Sequence, residues 1–442
     1  MNDKVTPRTL AGFMELLPNE QIMFDRLKGN IRDSYERFGF LPLDTPIIEA
    51  ADVLLAKTGG DTEKQIYSFK KGDTPLALRF DLTVPLAKYI ALHQNKLTFP
   101  FRRYQIGKVY RGERQQQGRF REFYQCDIDI IGDGELDIMY DAEIPCVIQT
   151  TFKEMGFDDF TIKINNRKIL NGLFASLEAD KQASDIMRVI DKRDKIGDDA
   201  VTGELKELGL APENIDTIMK FVSISGTTEE KLNILKSMNI DNDLFNTGVA
   251  ELEQVVKGIA MFGVPPSNFT IDLTIARGLD YYTGTVYETT LNKYPEIGSV
   301  CSGGRYDNLS EFYTSRKMPG VGISIGLTRL FYQLNKMKII TPAKESISDV
   351  LIIPMVDDLG ACTRAAAFLR DQNINTEVFL ANKKIKAKFS YADKLKIPFA
   401  VVIGEDELKA GKFSLKNLKT GVQKFLTLDE IAAEVKKIQS LV

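Results

Sequence analysis

Residues 101–132 read FRRYQIGKVYRGERQQQGRFREFYQCDIDIIG. The stretch opens with a β-prone run (Ile106, Val109, Tyr110) preceded by Arg102 and Arg103, crosses a polar turn from Arg114 to Gly118, and returns as a second β-prone run. Runs rich in β-branched and aromatic residues on either side of a Gly-containing loop predict a long antiparallel hairpin. Its charges are segregated: from Phe101 to Tyr124 seven Lys or Arg face only Glu113 and Glu122, and then the sign reverses with Asp127, Asp129, Asp133, Glu135 and Asp137. An arginine row beside a carboxylate pocket can hold a polyphosphate at one end and a cationic or hydrogen-bond-donating ligand at the other. Charge runs are more often solvated faces, so the hairpin by itself leaves both readings open.

Three later stretches shift the balance. Ile275 to Tyr287 (IARGLDYYTGTVY) sets Arg277 beside a Gly, an Asp and a Tyr pair; Ser302 to Asp307 reads SGGRYD; Pro319 to Arg329 reads PGVGISIGLTR and opens a helix. Glycines in such segments permit close backbone approach to a ligand. In this order the series resembles the class II aminoacyl-tRNA synthetases. The hairpin is similar to their motif 2, Pro319–Arg329 to motif 3, and Gly39–Glu49 (GFLPLDTPIIE) to motif 1 with its proline at Pro46. Arg277–Tyr282 and Gly303–Asp307 resemble the two signatures of the histidyl-tRNA synthetase family, and the resemblance covers essentially the whole chain.

Bulk properties agree with a globular enzyme. A chain of 442 residues with 43% hydrophobic and 27% charged residues can form two or three domains with real cores. A net charge of -3 gives no global attraction for nucleic acid, so any RNA surface must be local. Four scattered cysteines (Cys126, Cys146, Cys301, Cys362) and one histidine, His93, argue against a Cys/His zinc site and suit a reducing compartment. No apolar run approaches the ~18 residues of a membrane span, and the first residues lack the apolar core of a signal peptide. The expected location is the cytoplasm, without membrane association.

In chain order, Asn19–Phe38 carries apolar residues at helical spacing and leads into motif 1. The resemblance implies a homodimer interface there, while pattern alone fits core equally well. Gln65–Ala91 predicts two strands about Gly72-Asp73 and a helix opened by Thr83 and Pro85. At that junction Asp81 or Thr83 can cap the helix. The resemblance also implies that Asp81, Leu82 and Thr83 hold the histidine substrate, the acid taking its α-ammonium; an Asp-Leu pair resembles the archaeal and eukaryotic version of this motif. It implies further that Gln125, Asp129, Tyr281 and Tyr282 complete the histidine pocket. A carboxylate and a tyrosine hydroxyl could read the donor and acceptor nitrogens of a neutral imidazole.

For ATP the resemblance implies Arg111, Glu113, Arg119 and Arg329, with Arg111 and Arg277 catalytic. The planar fork of Arg111 suits bidentate contact with phosphate and carboxylate. A fixed guanidinium at Arg277 would stabilise charge developing on the α-phosphate; a local Arg277–Asp280 pair is the structural alternative. Arg119 and Arg121 should share a strand face, and Arg305 fits a sheet-stabilising role as well as a ligand contact. Mg²⁺ is expected with ATP, its ligands unassigned, with Glu113 and Asp127 the acids considered for it.

The expected fold class is a multidomain α/β chain: a class II antiparallel-sheet catalytic domain with a helical insertion, and a C-terminal α/β anticodon-binding domain. The boundaries are 1–165 and 263–340 for the two catalytic parts, 166–262 for the insertion, and 348–442 for the last domain. The resemblance implies that the insertion clamps the acceptor arm of tRNA(His), although a purely structural role fits its composition. Between Lys383 and Lys424 eleven lysines face four acids, a solvated face or a surface for RNA backbone contacts. The implied reaction joins L-histidine, ATP and tRNA(His). A histidine-sensing regulatory paralogue typically lacks the C-terminal domain and drifts at the catalytic arginines; this chain keeps both.

Overall fold

The structure, a computed structural model, describes residues 4–56, 63–113, 118–275, 281–340 and 346–439. The chain forms two compact units, residues 1–15 with 27–337 and residues 16–26 with 338–442.

The first unit is built on an eight-stranded sheet ordered Leu41–Pro42, Phe101–Tyr110, Glu122–Ile131, Gly320–Gly326, Ser299–Tyr306, Thr285–Leu291, Phe160–Asn166, Phe269–Ile271. The predicted hairpin is present, in register from Phe101 opposite Ile131 to Tyr110 opposite Glu122. Its far side pairs with the motif 3 strand, Gly320 opposite Ile131 and Gly326 opposite Gln125. The six inner strands are antiparallel, as expected, but both edge pairs are parallel, so the sheet is mixed. Parallel neighbours need long crossovers. The chain supplies one between Pro42 and Phe101 and another, the whole helical segment, between Asn166 and Phe269.

Alternation along Glu122–Ile131 decides what each face does. Cys126, Ile128 and Ile130 point to one side and are fully buried, each such isoleucine contributing about 1.5–3 kcal/mol relative to exposure. Helix Pro18–Arg37 buries Leu27, Ile31 and Tyr35, four residues apart, and the Tyr35 hydroxyl donates to the Cys126 carbonyl at 3.0 Å. Gln125, Asp127 and Asp129 point to the other side and are covered as well, both aspartates being at most 3% exposed. A buried polar strand face needs partners, and here it forms the floor of a cavity.

A small sheet (Ile48–Ala50, Thr74–Leu78, Ser68–Lys71) precedes helix Thr83–His93, close to expectation. The helical segment contains Arg167–Ser176, Ala183–Ile190, Arg193–Glu207, Pro212–Val222, Thr228–Ser237 and Asp243–Met261. The last of these helices starts at Asp243, where the Asn242 side chain accepts from the Phe245 N–H.

The second unit has a five-stranded sheet ordered Thr376–Val378, Val350–Pro354, Phe399–Ile403, Phe413–Asn417, Gln423–Leu426. The first three strands are parallel and the last two antiparallel. Helices Gly360–Asp371 and Leu428–Gln439 bury Leu369 and Ile431 against Val350, Ile352 and Val401, while Ala392 and Ile397 pack with Leu351 and Ile353 on the opposite face. No helix among the described residues is long and apolar enough to cross a membrane.

Candidate active site

A cavity of about 410 Å³ lies over the polar face of the hairpin. It gathers Asp81 and Thr83 from the start of helix Thr83–His93, Arg111 and Glu113 beyond the first hairpin strand, Arg119 before the second, and Gln125 and Asp129 on it. Tyr281, Tyr282 and Arg329 close it from the far side. Among the expected site residues two are not so placed. Leu82 is absent from the lining: its side chain is fully buried, and its carbonyl accepts from Arg103 and from the Leu86 N–H. Arg277 lies outside the described residues.

Local chemistry holds the arginines. Arg111 Nε donates to the Phe80 carbonyl at 2.9 Å and its guanidinium sits 5.2 Å from the centre of the Phe123 ring, which leaves the fork to face the cavity. Arg119 pairs with Glu113 at 3.3 Å. Arg121 does not join it: the second strand begins only at Glu122, and Arg121 donates instead to the Glu113 carbonyl at 3.2 Å. The Arg329 Nη2 donates to the Ile297 carbonyl at 2.8 Å.

Three aspartates meet in the floor. Asp81 Oδ1 accepts the Val84 N–H at 3.1 Å, capping the helix while Asp81 also lines the cavity, so both expected uses coexist. Burial pushes its carboxyl up to about 6, opposed by that N–H and by Arg111 and Arg103. Burial likewise pushes Asp127 up to about 7, against the pull of Arg103. Asp129 is raised by burial too, but it is tied down at both ends, by Arg103 at 2.6 Å and by the Tyr306 hydroxyl at 2.6 Å. Gly322 makes room for it: a Cβ there would stand 2.3 Å from Asp129 Oδ1 and 2.2 Å from the Ile128 carbonyl oxygen. Arg103, fully buried, thus acts as the shared cation beneath the floor. Sequence reading counted it only among the basic residues and gave Tyr306 no role; their signal was the register that sets Arg103 opposite Asp129.

Arg305 resolves to structure. It is buried against Asp141, its Nε 3.1 Å from both carboxylate oxygens, and it donates to the Leu136 and Asp137 carbonyls. Of the acids considered for Mg²⁺, Glu113 is paired with Arg119 and Asp127 lies over Arg103. No three His, Cys, Asp or Glu side chains among the described residues are grouped to hold a metal ion.

The family model described as histidyl-tRNA synthetase matches residues 12–330. The chain belongs to the histidyl-tRNA synthetase family. A model described as anticodon binding domain matches residues 349–438, in agreement with the C-terminal α/β unit. The chain is 59% identical over 435 residues to the histidine–tRNA ligase of Clostridium tetani, covering 98% of this chain and 99% of that one. It is 49% identical over 432 residues to that of Finegoldia magna, covering 98% and 100%. The crystal structure of histidyl-tRNA synthetase from Nostoc sp. PCC 7120 matches with a TM-score of 0.90 at 43% identity, covering 98% of this chain and all of that one. These relatives of the histidyl-tRNA synthetase family are bacterial, so the archaeal and eukaryotic likeness expected from Asp81 and Leu82 is not supported.

Proposed function

We propose that this chain is a histidine–tRNA ligase, which activates L-histidine with ATP to histidyl-adenylate and passes the histidyl group to the 3′ end of tRNA(His). The observation that carries the reading is the cavity itself, where an acid-lined floor for an amino acid adjoins Arg111, Arg119 and Arg329 for a triphosphate. Asp81, Thr83 and Gln125 receive the amino-acid backbone. Asp129, oriented by Arg103 and Tyr306, accepts from the imidazole N–H, and the Tyr282 hydroxyl reads the other ring nitrogen. Tyr281 packs edge-on against Tyr282 at 4.8 Å and keeps it in place. An amino acid lacking the ring nitrogens leaves these buried groups unpaired, which supports rejection by ~10⁴ or more.

Arg111 aligns the α-carboxylate and the α-phosphate for attack, and Arg277 stabilises charge developing on the phosphate oxygens. Glu113 and Arg119 hold the nucleotide, with Arg329 on its distal phosphate. Mg²⁺, carried in with ATP, neutralises the phosphate chain. Residues 166–262 are assigned to the acceptor arm of tRNA(His) and residues 348–442 to its anticodon, within a homodimeric cytoplasmic enzyme.

The test is amino-acid-dependent exchange of labelled pyrophosphate into ATP. Exchange with histidine alone is expected; no exchange with any amino acid, despite histidine binding, would overturn the reading in favour of a histidine-sensing regulator. Arg277→Ala should abolish exchange while histidine binding stays measurable, and wild-type turnover in that variant removes its role.

A further inference from the structure

Three buried acceptor atoms in the cavity have no hydrogen-bond partner among the described residues: Asp81 Oδ2, Gln125 Oε1 and Asp127 Oδ1. The groups around them are already engaged. Asp81 Oδ1 caps its helix at 3.1 Å, Gln125 Nε2 donates to Ser324 Oγ at 2.8 Å, and Asp129 is taken by Arg103 and Tyr306. Of the three floor carboxylates, only Asp129 is paired directly with a cation; Ser324 and, through space, Arg103 act on Asp127, Arg111 and Arg103 act on Asp81, and one oxygen of each of these two has no hydrogen-bond partner among the described residues.

Gln125 and Asp127 are alternate residues of one strand and so point the same way, about 7 Å apart at their Cα atoms. Asp81 lies near enough to raise the proton affinity of Asp127. Three unpartnered acceptors lining one cavity suit a ligand group with three donors, and a primary ammonium has three N–H bonds and no acceptor. Its charge also answers two carboxylates at once, which a neutral imidazole cannot do.

We propose that Asp127 is a substrate-binding residue that, with Asp81 and Gln125, forms a three-acceptor cage around the α-ammonium of the amino acid. The assignment rests on reading the cavity as an amino-acid site, and it gives Asp127 a role other than metal binding. The burial that raises the carboxyl of Asp127 agrees with it, since a cation alongside restores the charge that burial disfavours.

Calorimetry on the full-length protein with three probes tests the cage: L-histidine; histidinol, which keeps the ammonium and lacks the carboxylate; and 3-(imidazol-4-yl)propionate, which keeps the carboxylate and lacks the ammonium. Asp127→Asn should weaken histidine and histidinol by about 10- to 100-fold, the range of a charge-assisted hydrogen bond, and leave imidazolylpropionate within about twofold. Asp127→Ser carries the same expectation, so the result does not depend on one variant folding. Equal loss for all three probes, or no loss for histidine, overturns the assignment. So does a changed Mg²⁺ requirement in pyrophosphate exchange with histidine affinity intact. Wild-type protein that binds none of the probes overturns the amino-acid reading of the cavity, and the cage with it.

Discussion

Two buried arginine–aspartate pairs lie in the first unit, Arg305–Asp141 and Arg103–Asp129, and they are built differently. Arg305 grips both oxygens of Asp141, contacts Asp307 at 3.5 Å and spends its remaining N–H on main-chain carbonyls. Arg103 touches one oxygen of Asp129 and the Leu82 carbonyl, while its Nε and Nη1 have no hydrogen-bond partner among the described residues and two further acids stand above it. A closed set of partners is a structural rivet. An incomplete one, beside a cavity, has polar groups free to bond a ligand, and buried polar groups left unpaired cost stability.

Breaking the closed pair should give the largest effect on folding. Arg305→Met leaves Asp141 buried and unanswered and should cost about 3–5 kcal/mol in urea unfolding, with the histidine KM of the folded fraction unchanged; a shifted KM at full stability would erase the contrast between the pairs. Next, Asp129→Ala should lower kcat/KM for histidine by ~100-fold and blur discrimination against other amino acids. An unchanged amino-acid preference would remove Asp129 from the pocket.

The smallest effect is on pH. Asp127 and Asp81 hold their protons more tightly folded than unfolded, near 7 and 6. Their contribution to stability is therefore full below the unfolded carboxylate range and is lost as pH rises through those values. Unfolding free energy of the ligand-free protein should fall by about 2 kcal/mol between pH 6 and 8. Asp127→Asn should flatten most of that slope in a pH series of urea melts; an unaltered slope would mean that the incomplete set carries no such strain.

How far the sequence could be read depended on the range of the interactions. Local signals were sound: the hairpin, the turn at Gly72-Asp73 and the helix opened at Thr83 all lie within a few residues of expectation. Non-local pairing was not visible. Nothing in Gly320–Gly326 alone says that it lies against Glu122–Ile131, and nothing in Leu41–Pro42 marks it as a parallel edge. Strand Gln423–Leu426 gives little local signal because it is short and mostly exposed. Helix Pro212–Val222, by contrast, carries the usual marks in its sequence, with Pro212 at its first turn and buried Ile215, Ile218 and Val222. In the site, the resemblance supplied residues that mostly share one cavity, whereas the ambiguity at Arg305 could be resolved only by knowing that Asp141 lies beside it. Arg103 was opaque for the same reason, since its meaning depends on a carboxylate across the hairpin.

Gly322 limits how this pocket could be re-engineered. It contributes no side chain, so nothing can be trimmed there to admit a bulkier amino acid. Nor can a methyl be added to exclude one, because the new carbon would collide with the Asp129 carboxylate. Redesign toward another amino acid must therefore begin at the opposite wall, around Tyr281 and Tyr282, and an alanine scan that includes position 322 will score it as an inactivating site although it has no chemistry of its own.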